Sequence, residues 1–450
     1  MKRYLENKPL NVQWISSIPQ HWKQLRAKSI FYTTKQLNDD NACDNVLSLT
    51  LKGVIRNTIE KPVGLSPKDY CTYQIFEKDD LVFKLIDLEN ISTSRVGIVP
   101  EHGIMSPAYI RFSQRGHENI RYLFYQYYDL YLRHVYNGLG AGVRATLSAS
   151  ELLNIPIVLP PREEQDQIVR YLDWQMSKIN RLIAAKRKQI ALISASKHAF
   201  ASNLVTKGLD TSCTMRYSGV NWLGDIPKHW QISKLRTILH PASEKNHPDL
   251  PLLSVVREKG VIPRDVDDKE SNHNYIPDDL SGYKVVRTHQ FVINKMKAWQ
   301  GSYGIAPCDG IVSPAYFVFN IDFDNLEYFH HAIRSKVYVN FFAQASDGIR
   351  VGQWDLSIDK MKDIPFILPP SDEQAAIVES IKKNNAQADT TISALEKQIA
   401  VLQELRTRLI SDVVTGQVDV RGIKIPDDEY INNEITEEEF EEESENNEEE

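Results

Sequence analysis

Ile18-Pro19-Gln20-His21-Trp22, near the start of the chain, returns as Ile226-Pro227-Lys228-His229-Trp230. Ile155-Pro156, Leu159-Pro160-Pro161 and Glu164-Gln165 return as Ile364-Pro365, Leu368-Pro369-Pro370 and Glu373-Gln374. Between these landmarks, Gly97-Ile98 runs on to Ser106-Pro107-Ala108-Tyr109, and Gly304-Ile305 runs on to Ser313-Pro314-Ala315-Tyr316. The order is kept at offsets of 208, 209 and 207 residues. A period near 208 is far longer than a solenoid repeat, so a whole domain with the same appendage has been duplicated. A doubled molecule of this kind suits a target that is itself twofold, such as duplex DNA.

The repeat divides the chain into globular halves at 1–155 and 208–365, with connecting segments at 156–207 and 366–416 and a tail at 417–450. In the first half, 45–49, 80–83 and 109–112 have the β-branched and aromatic character of strands, answered by 253–256, 290–293 and 316–319 in the second. One helix is predicted in each half, over 118–136 and 324–343. The first is dense in aromatics: Tyr122, Phe124, Tyr125, Tyr127, Tyr128, Tyr131 and Tyr136. Rings at helical spacing face a core, although base stacking is the other use of such a row. The fold class predicted is α+β: two duplicated α/β domains separated by a pair of long antiparallel coiled-coil helices with pseudo-twofold symmetry.

Those helices are expected within 162–206 and 371–412, which contain neither Pro nor Gly. In the second, Ile377, Ile381, Asn384, Ala388, Ile392, Leu395, Ile399, Leu402, Leu405 and Leu409 follow a spacing of mostly three and four. In the first, Ile168, Leu172, Gln175, Ile179, Leu182, Lys186, Ile190 and Ile193 do so less cleanly. Ser371 and Gln374 stand at capping-box spacing, and Gly208 and Gly416 stand where C-terminal caps belong. Each apolar stripe needs a partner, and the other copy in the same chain supplies one. Polar seam positions Gln175, Lys186 and Asn384 would fix the register.

Composition narrows the class. A hydrophobic content of 42% and a charged content of 25% are those of a globular protein, and no stretch approaches a membrane span. The four cysteines, Cys43, Cys71, Cys213 and Cys308, are scattered, as thiols in a reducing cytoplasm would be, and form neither a disulfide framework nor a zinc site. Residues 427–450 hold fourteen acids and no Lys or Arg; without them the net charge of −7 becomes +7. The folded part is therefore mildly basic. The acidic run reads as disordered, either a solubilising tail or a mimic of DNA competing for a basic groove.

Catalytic motifs are missing. There is no phosphate loop, no dinucleotide fingerprint beyond the incomplete Gly138-Leu139-Gly140-Ala141-Gly142, no Asn- or Asp-Pro-Pro-Tyr turn and no zinc-protease helix. What remains is binding chemistry. Gly142-Val143-Arg144 is matched by Gly348-Ile349-Arg350, and a Gly-flexed loop can bring a guanidinium to a phosphate or a guanine edge. Lys52-Gly53 is matched by Lys259-Gly260. Cations and polar groups that differ between the copies are candidates for separate specificities: Arg56, Lys84 and Arg95 in the first, and Arg264, Lys295, Lys297, Gln353 and Trp354 in the second.

The doubled openings, the doubled Pro-Pro-x-x-Glu-Gln junctions and the helices behind them resemble the specificity subunit of type I restriction–modification systems, over about residues 1–420. The resemblance implies a sequence-specific DNA-binding subunit without catalysis of its own. Each half would be a target recognition domain for one part of an interrupted sequence, and the helices would be the spacer. It implies double-stranded DNA, two methyltransferase subunits and restriction subunits as partners, with S-adenosylmethionine, ATP and Mg on those partners and no cofactor here. Methyltransferase docking would fall on the helix starts, at Gln165, Ile168, Leu172, Gln374, Ile377 and Ile381. A system with fused methylation and cleavage, an orphan specificity protein and a coiled-coil adaptor that binds only proteins are alternatives.

Overall fold

The computed structural model describes residues 2–39, 41–57, 70–86, 88, 94–139, 146–257, 259–264, 276, 277, 279–350 and 353–426; the side chains at 349, 350 and 353 are not described. The chain forms two compact units, one from residues up to 186 with residues 397–426, the other from 187–396. Each unit holds one globular half together with part of each long helix. The structure is mixed helix and strand, as predicted.

In the first unit a four-stranded antiparallel sheet is ordered Phe31–Tyr32, Ile110–Gln114, Leu81–Phe83, Val96–Ile98. A hairpin, Leu47–Thr50 with Gly53–Arg56, and a two-stranded pair, Gln74–Phe76 with Gly103–Met105, flank it. Lys23–Arg26 pairs with Pro156–Leu159 at the root. The segment at 156 therefore belongs to the globular half, not to the connecting helix as the sequence division had it.

The second unit repeats this plan element by element. Its sheet runs Leu239–Ala242, Tyr316–Ile321, Phe291–Asn294, Tyr303–Ile305. Its hairpin is Leu253–Val256 with Gly260–Pro263, its two-stranded pair is Lys284–Val286 with Gly310–Val312, and its root pairs Gln231–Lys234 with Pro365–Leu368.

The aromatic helix spans Ile120–Leu132, with the Asn119 side chain accepting from the backbone of Arg121 and Tyr122. Tyr122, Tyr125, Tyr127 and Tyr136 are buried, and Phe83 lies 5.0 Å from both Phe112 and Tyr127. Core packing is thus what this row does. Phe124 and Tyr128, half-buried, stack on each other. Each half has two helices where one was expected: Val135–Leu139 follows the aromatic helix in the first, and the second has Leu326–Ile333 and Lys336–Gln344. Ser335 adopts an extended backbone (ψ 153°) between them, a conformation suited to a helix-starting serine and not to a helix interior.

The long helices span Arg162–Lys207 and Ser371–Val414, both ending on a glycine of positive φ, Gly208 at 77° and Gly416 at 72°. Within the first unit they run antiparallel: Gln167 Nε2 donates to the Val420 and Ile423 carbonyls, and Lys186 Nζ to Gln398 Oε1. Within the second, Lys197 pairs with Asp389. The apolar stripe of the first helix buries Ile168, Leu172 and Ile179 as expected but departs from its expected form elsewhere. Ile183, 7% exposed, faces inward where Leu182, 52% exposed, was expected, and Met176 takes the buried position beside Gln175. In the second helix Leu405 is 48% exposed. The expected capping box at Ser371 does not form, because the Gln374 amide donates to the Pro369 carbonyl at 2.9 Å.

A further correction concerns the C-terminal end. The first ten residues of the expected tail, 417–426, pack on the first unit. Val420 is fully buried, Val418 is 9% exposed, and the Asp419 amide donates to the Lys2 carbonyl at 2.9 Å. The acidic run 427–450 lies outside the described residues.

Candidate functional site

The repeated motifs turn out to be one clamp built twice. In the first unit Glu164, 6% exposed, stands in the opening turn of the long helix. It accepts from Trp22 Nε1 at 3.0 Å and from the Tyr4 hydroxyl, and lies 2.7 Å from His21 Nε2. In the second unit Glu373 accepts from Trp230 Nε1 at 2.8 Å and meets His229 Nε2. The next residue acts alike in both: the Gln165 and Gln374 amides donate to the Pro160 and Pro369 carbonyls. Tyr122 and Tyr328 donate to the Val158 and Ile367 carbonyls of the root strands. Carboxylates in the first helical turn also favour the partial positive charge there. The clamp fixes how each globular half joins its helix, which explains the recurrence of Ile-Pro-x-His-Trp and Pro-Pro-x-x-Glu-Gln without any catalysis.

The residues expected to receive a methyltransferase subunit sit inside this joint. Gln165, Ile168, Leu172, Ile377 and Ile381 are at most 1% exposed and Gln374 is 9% exposed. The four aliphatic residues belong to the cores of their own units. They offer no surface to a partner, and their expected docking role is corrected to core packing. An apolar helical stripe has the same pattern whether it faces a partner chain or its own domain.

The binding candidates fall on the hairpins and sheet ends. In the first unit Lys52 occupies the turn of the 47–56 hairpin, where its amide donates to Thr50 Oγ1. Arg56, at the other end of that hairpin, forms a bidentate pair with Glu101. The hydrogen bonds raise the guanidinium's pKa and lower the carboxyl's. Lys84 and Arg95 face each other where the Leu81–Phe83 hairpin opens, the Lys84 amide donating to the Arg95 carbonyl. Arg95 is corrected as a contact residue. It is 3% exposed, and its guanidinium donates to the Ile86 carbonyl at 3.3 Å, so it serves the interior. Arg144 lies outside the described residues.

In the second unit the candidates form two groups. Lys295 Nζ lies 2.6 Å from Asp355, the Lys295 carbonyl accepts from the Leu356 amide, and Trp354 sits 5.0 Å from Trp299. Lys297 is exposed in the turn beside them. Arg350 and Gln353 are paired across the same two-stranded ribbon, Ser346–Arg350 with Gln353–Leu356. The structure therefore brings Lys295, Lys297, Arg350, Gln353 and Trp354 to one ribbon. Lys259 and Arg264 lie apart from them on the 253–263 hairpin, Lys259 exposed at the turn and Arg264 just past its end. The Arg264 charge acts on the Tyr316 phenol, whose pKa is raised by burial. Asn294, which donates to that phenol at 3.3 Å, links the two groups and was missed in the sequence. Its signal was the register of the repeat, which sets Asn294 opposite Tyr316.

The family described as "Type I restriction modification DNA specificity domain" matches residues 27–192. The chain is 23% identical over 343 residues to the type I restriction enzyme MjaVIII specificity subunit of Methanocaldococcus jannaschii, covering 71% of this chain and 76% of that protein. It is 25% identical over 315 residues to the putative type I restriction enzyme MjaX specificity subunit of the same organism, covering 66% and 68%. A chain in a solved structure concerned with complex assembly and conformational transition of the type I R-M system shares its fold. The TM-score is 0.58 at 14% identity, over 89% of this chain and 99% of that one. No helix among the described residues is long and apolar enough to cross a membrane.

Proposed function

We propose, for a chain that belongs to the type I restriction–modification specificity family, that its two halves each bind one part of an interrupted duplex DNA sequence and direct catalytic partners to it. The observation that carries this reading is the duplication of the whole recognition fold, sheet order included. Two copies of one scaffold with different side chains at matching sites can read two different half-sites. The net charge of +7 outside the acidic run suits a polyanion.

Two methyltransferase subunits and restriction subunits are the partners this reading requires. S-adenosylmethionine, ATP and Mg belong on those partners, and this chain contributes binding and no bond-making step. Lys52, Lys259, Lys297 and the 346–356 ribbon with Arg350, Gln353 and Trp354 are the DNA contacts proposed within the halves, and Arg144 is proposed for the first half by its match to Arg350.

The test exchanges residues 27–154 for the same segment of another family member, leaving the clamp residues His21, Trp22 and Glu164 in place. Methylation-aware sequencing of DNA modified by the assembled complex should show one side of the motif changed and the other kept. A change on both sides would refute independent reading by the halves.

A further inference from the structure

We propose that Lys245 and Lys284, with Arg264 beside them, form a contact site for DNA phosphates on the second half, at positions that are neutral in the first. The inference rests on the DNA-binding reading above. Its ground is the side-by-side comparison of two copies of one fold within a single chain.

Lys245 and Lys284 face each other in an antiparallel bridge, and the matching bridge of the first half joins Leu37 and Gln74. The correspondence is fixed by the flanking pairs. Gln74 lies opposite Met105 and Lys284 opposite Val312, in matching strand pairs. Just past the hairpin of each half, the Asn57 amide donates to the Val46 carbonyl where the Arg264 amide donates to the Leu252 carbonyl. At three matched positions a neutral residue of the first half is thus replaced by a cation in the second.

The structural duty of one such position is known from both copies. The Gln74 amide donates to the Tyr109 carbonyl at 2.9 Å, and the Lys284 ammonium donates to the Tyr316 carbonyl, each at the Ser-Pro-Ala-Tyr corner. A neutral amide satisfies that carbonyl in the first half, so the fold needs a donor there and not a charge. The charge is also costly. Burial and the nearby Lys245 both push the Lys284 pKa down, and like charges opposite each other in a strand pair are destabilising. Glu244, next in sequence to Lys245, gives its carboxylate to Arg287 and His247.

An anion between the ammonium groups would turn this repulsion into attraction. Arg264 acts on the same corner through its charge on Tyr316, and the Lys284 ammonium lies 5.5 Å from the Phe317 ring. Ammonium groups act as point charges for phosphodiester oxygens, and contacts to phosphate carry no base code. The site should therefore strengthen binding of the second half to any duplex and leave its sequence preference alone.

The experiment gives the second half the residues of the first: Lys284→Gln with Lys245→Leu in the full chain. The variant and wild type are titrated with a fluorescent mixed-sequence duplex at several salt concentrations, and thermal unfolding is followed in parallel. The expected result is an unfolding midpoint at or above that of the wild type, because the repulsion is gone, and a plot of log K against log salt that is less steep by nearly two, at about 0.9 per lost phosphate contact. A folded variant with the wild-type slope overturns the site. Should Lys284→Gln lower the midpoint, Lys245→Leu at its exposed position carries the test alone, with an expected change of about 0.9. A wild-type chain that binds no duplex at all would sink the DNA-binding reading, and this site with it; binding with an unaltered slope sinks the site only.

Discussion

Glu164 takes buried donors from Tyr4 and Trp22, whereas Glu373 takes the Trp230 donor in a setting where its own side chain is 37% exposed. Leaving a buried donor unpaired costs about 1–3 kcal/mol, and water can replace a lost partner only where it reaches. Glu164→Ala should therefore destabilise the first unit by about 2–4 kcal/mol, from two stranded donors. Glu373→Ala should cost about half as much in the second, and urea unfolding of the two variants should show the difference. At this scale the sequence showed that Trp22, Glu164 and Gln165 recur, but not that they touch, because contacts between residues more than a hundred positions apart leave no local signal. It misjudged Arg95 for a related reason. A cation in an opening hairpin has the same pattern whether it points to solvent or to backbone carbonyls inside, and burial decides between them.

The elements were the most legible level. Runs such as 253–256 and 316–319 became strands because β-branched and aromatic side chains fit a pleated, half-buried surface. The long helices were evident from uninterrupted helical spacing free of Pro and Gly, and their ends from Gly208 and Gly416. Phase was less legible. Leu182-Ile183 offers two adjacent aliphatics, and spacing alone does not say which one faces in. The structure buries Ile183, so Ile183→Ala should cost about 2–4 kcal/mol. Leu182→Ala should stay within about 0.5 kcal/mol of wild type. Equal losses in chemical unfolding of the two variants would mean that the stripe runs through Leu182 after all.

At the scale of the whole molecule, the sequence revealed the duplication but drew its boundaries at motif edges, and packing drew them elsewhere. The end of the second long helix and residues 417–426 complete the first unit: Val413, Val414 and Val420 lie in its core, and the Arg421 guanidinium sits 4.9 Å from the Tyr4 ring centroid. Charge and low complexity concealed this, because Val418, Val420, Ile423 and Ile425 are a thin apolar signal next to fourteen acids. Deleting 427–450 should leave the thermal midpoint of the first unit unchanged, since none of these contacts is removed. Deleting 417–450 should lower it, with a loss on the order of 3 kcal/mol from Val418 and Val420. A calorimetric scan of both truncations separates the outcomes.

The meeting of Lys2 with Asp419 bears on the order in which the halves are written. Each unit is assembled from the tail of one long helix, a globular half, and the head of the other long helix. Lys2 and the end of the second long helix thus both lie in the first unit. Linking residue 426 to residue 2 and opening the chain between Gly208 and Met215 would list the same parts from the other starting place. Which half is called first is then a matter of where translation begins, and a gene that starts with the present second half would encode the same two units.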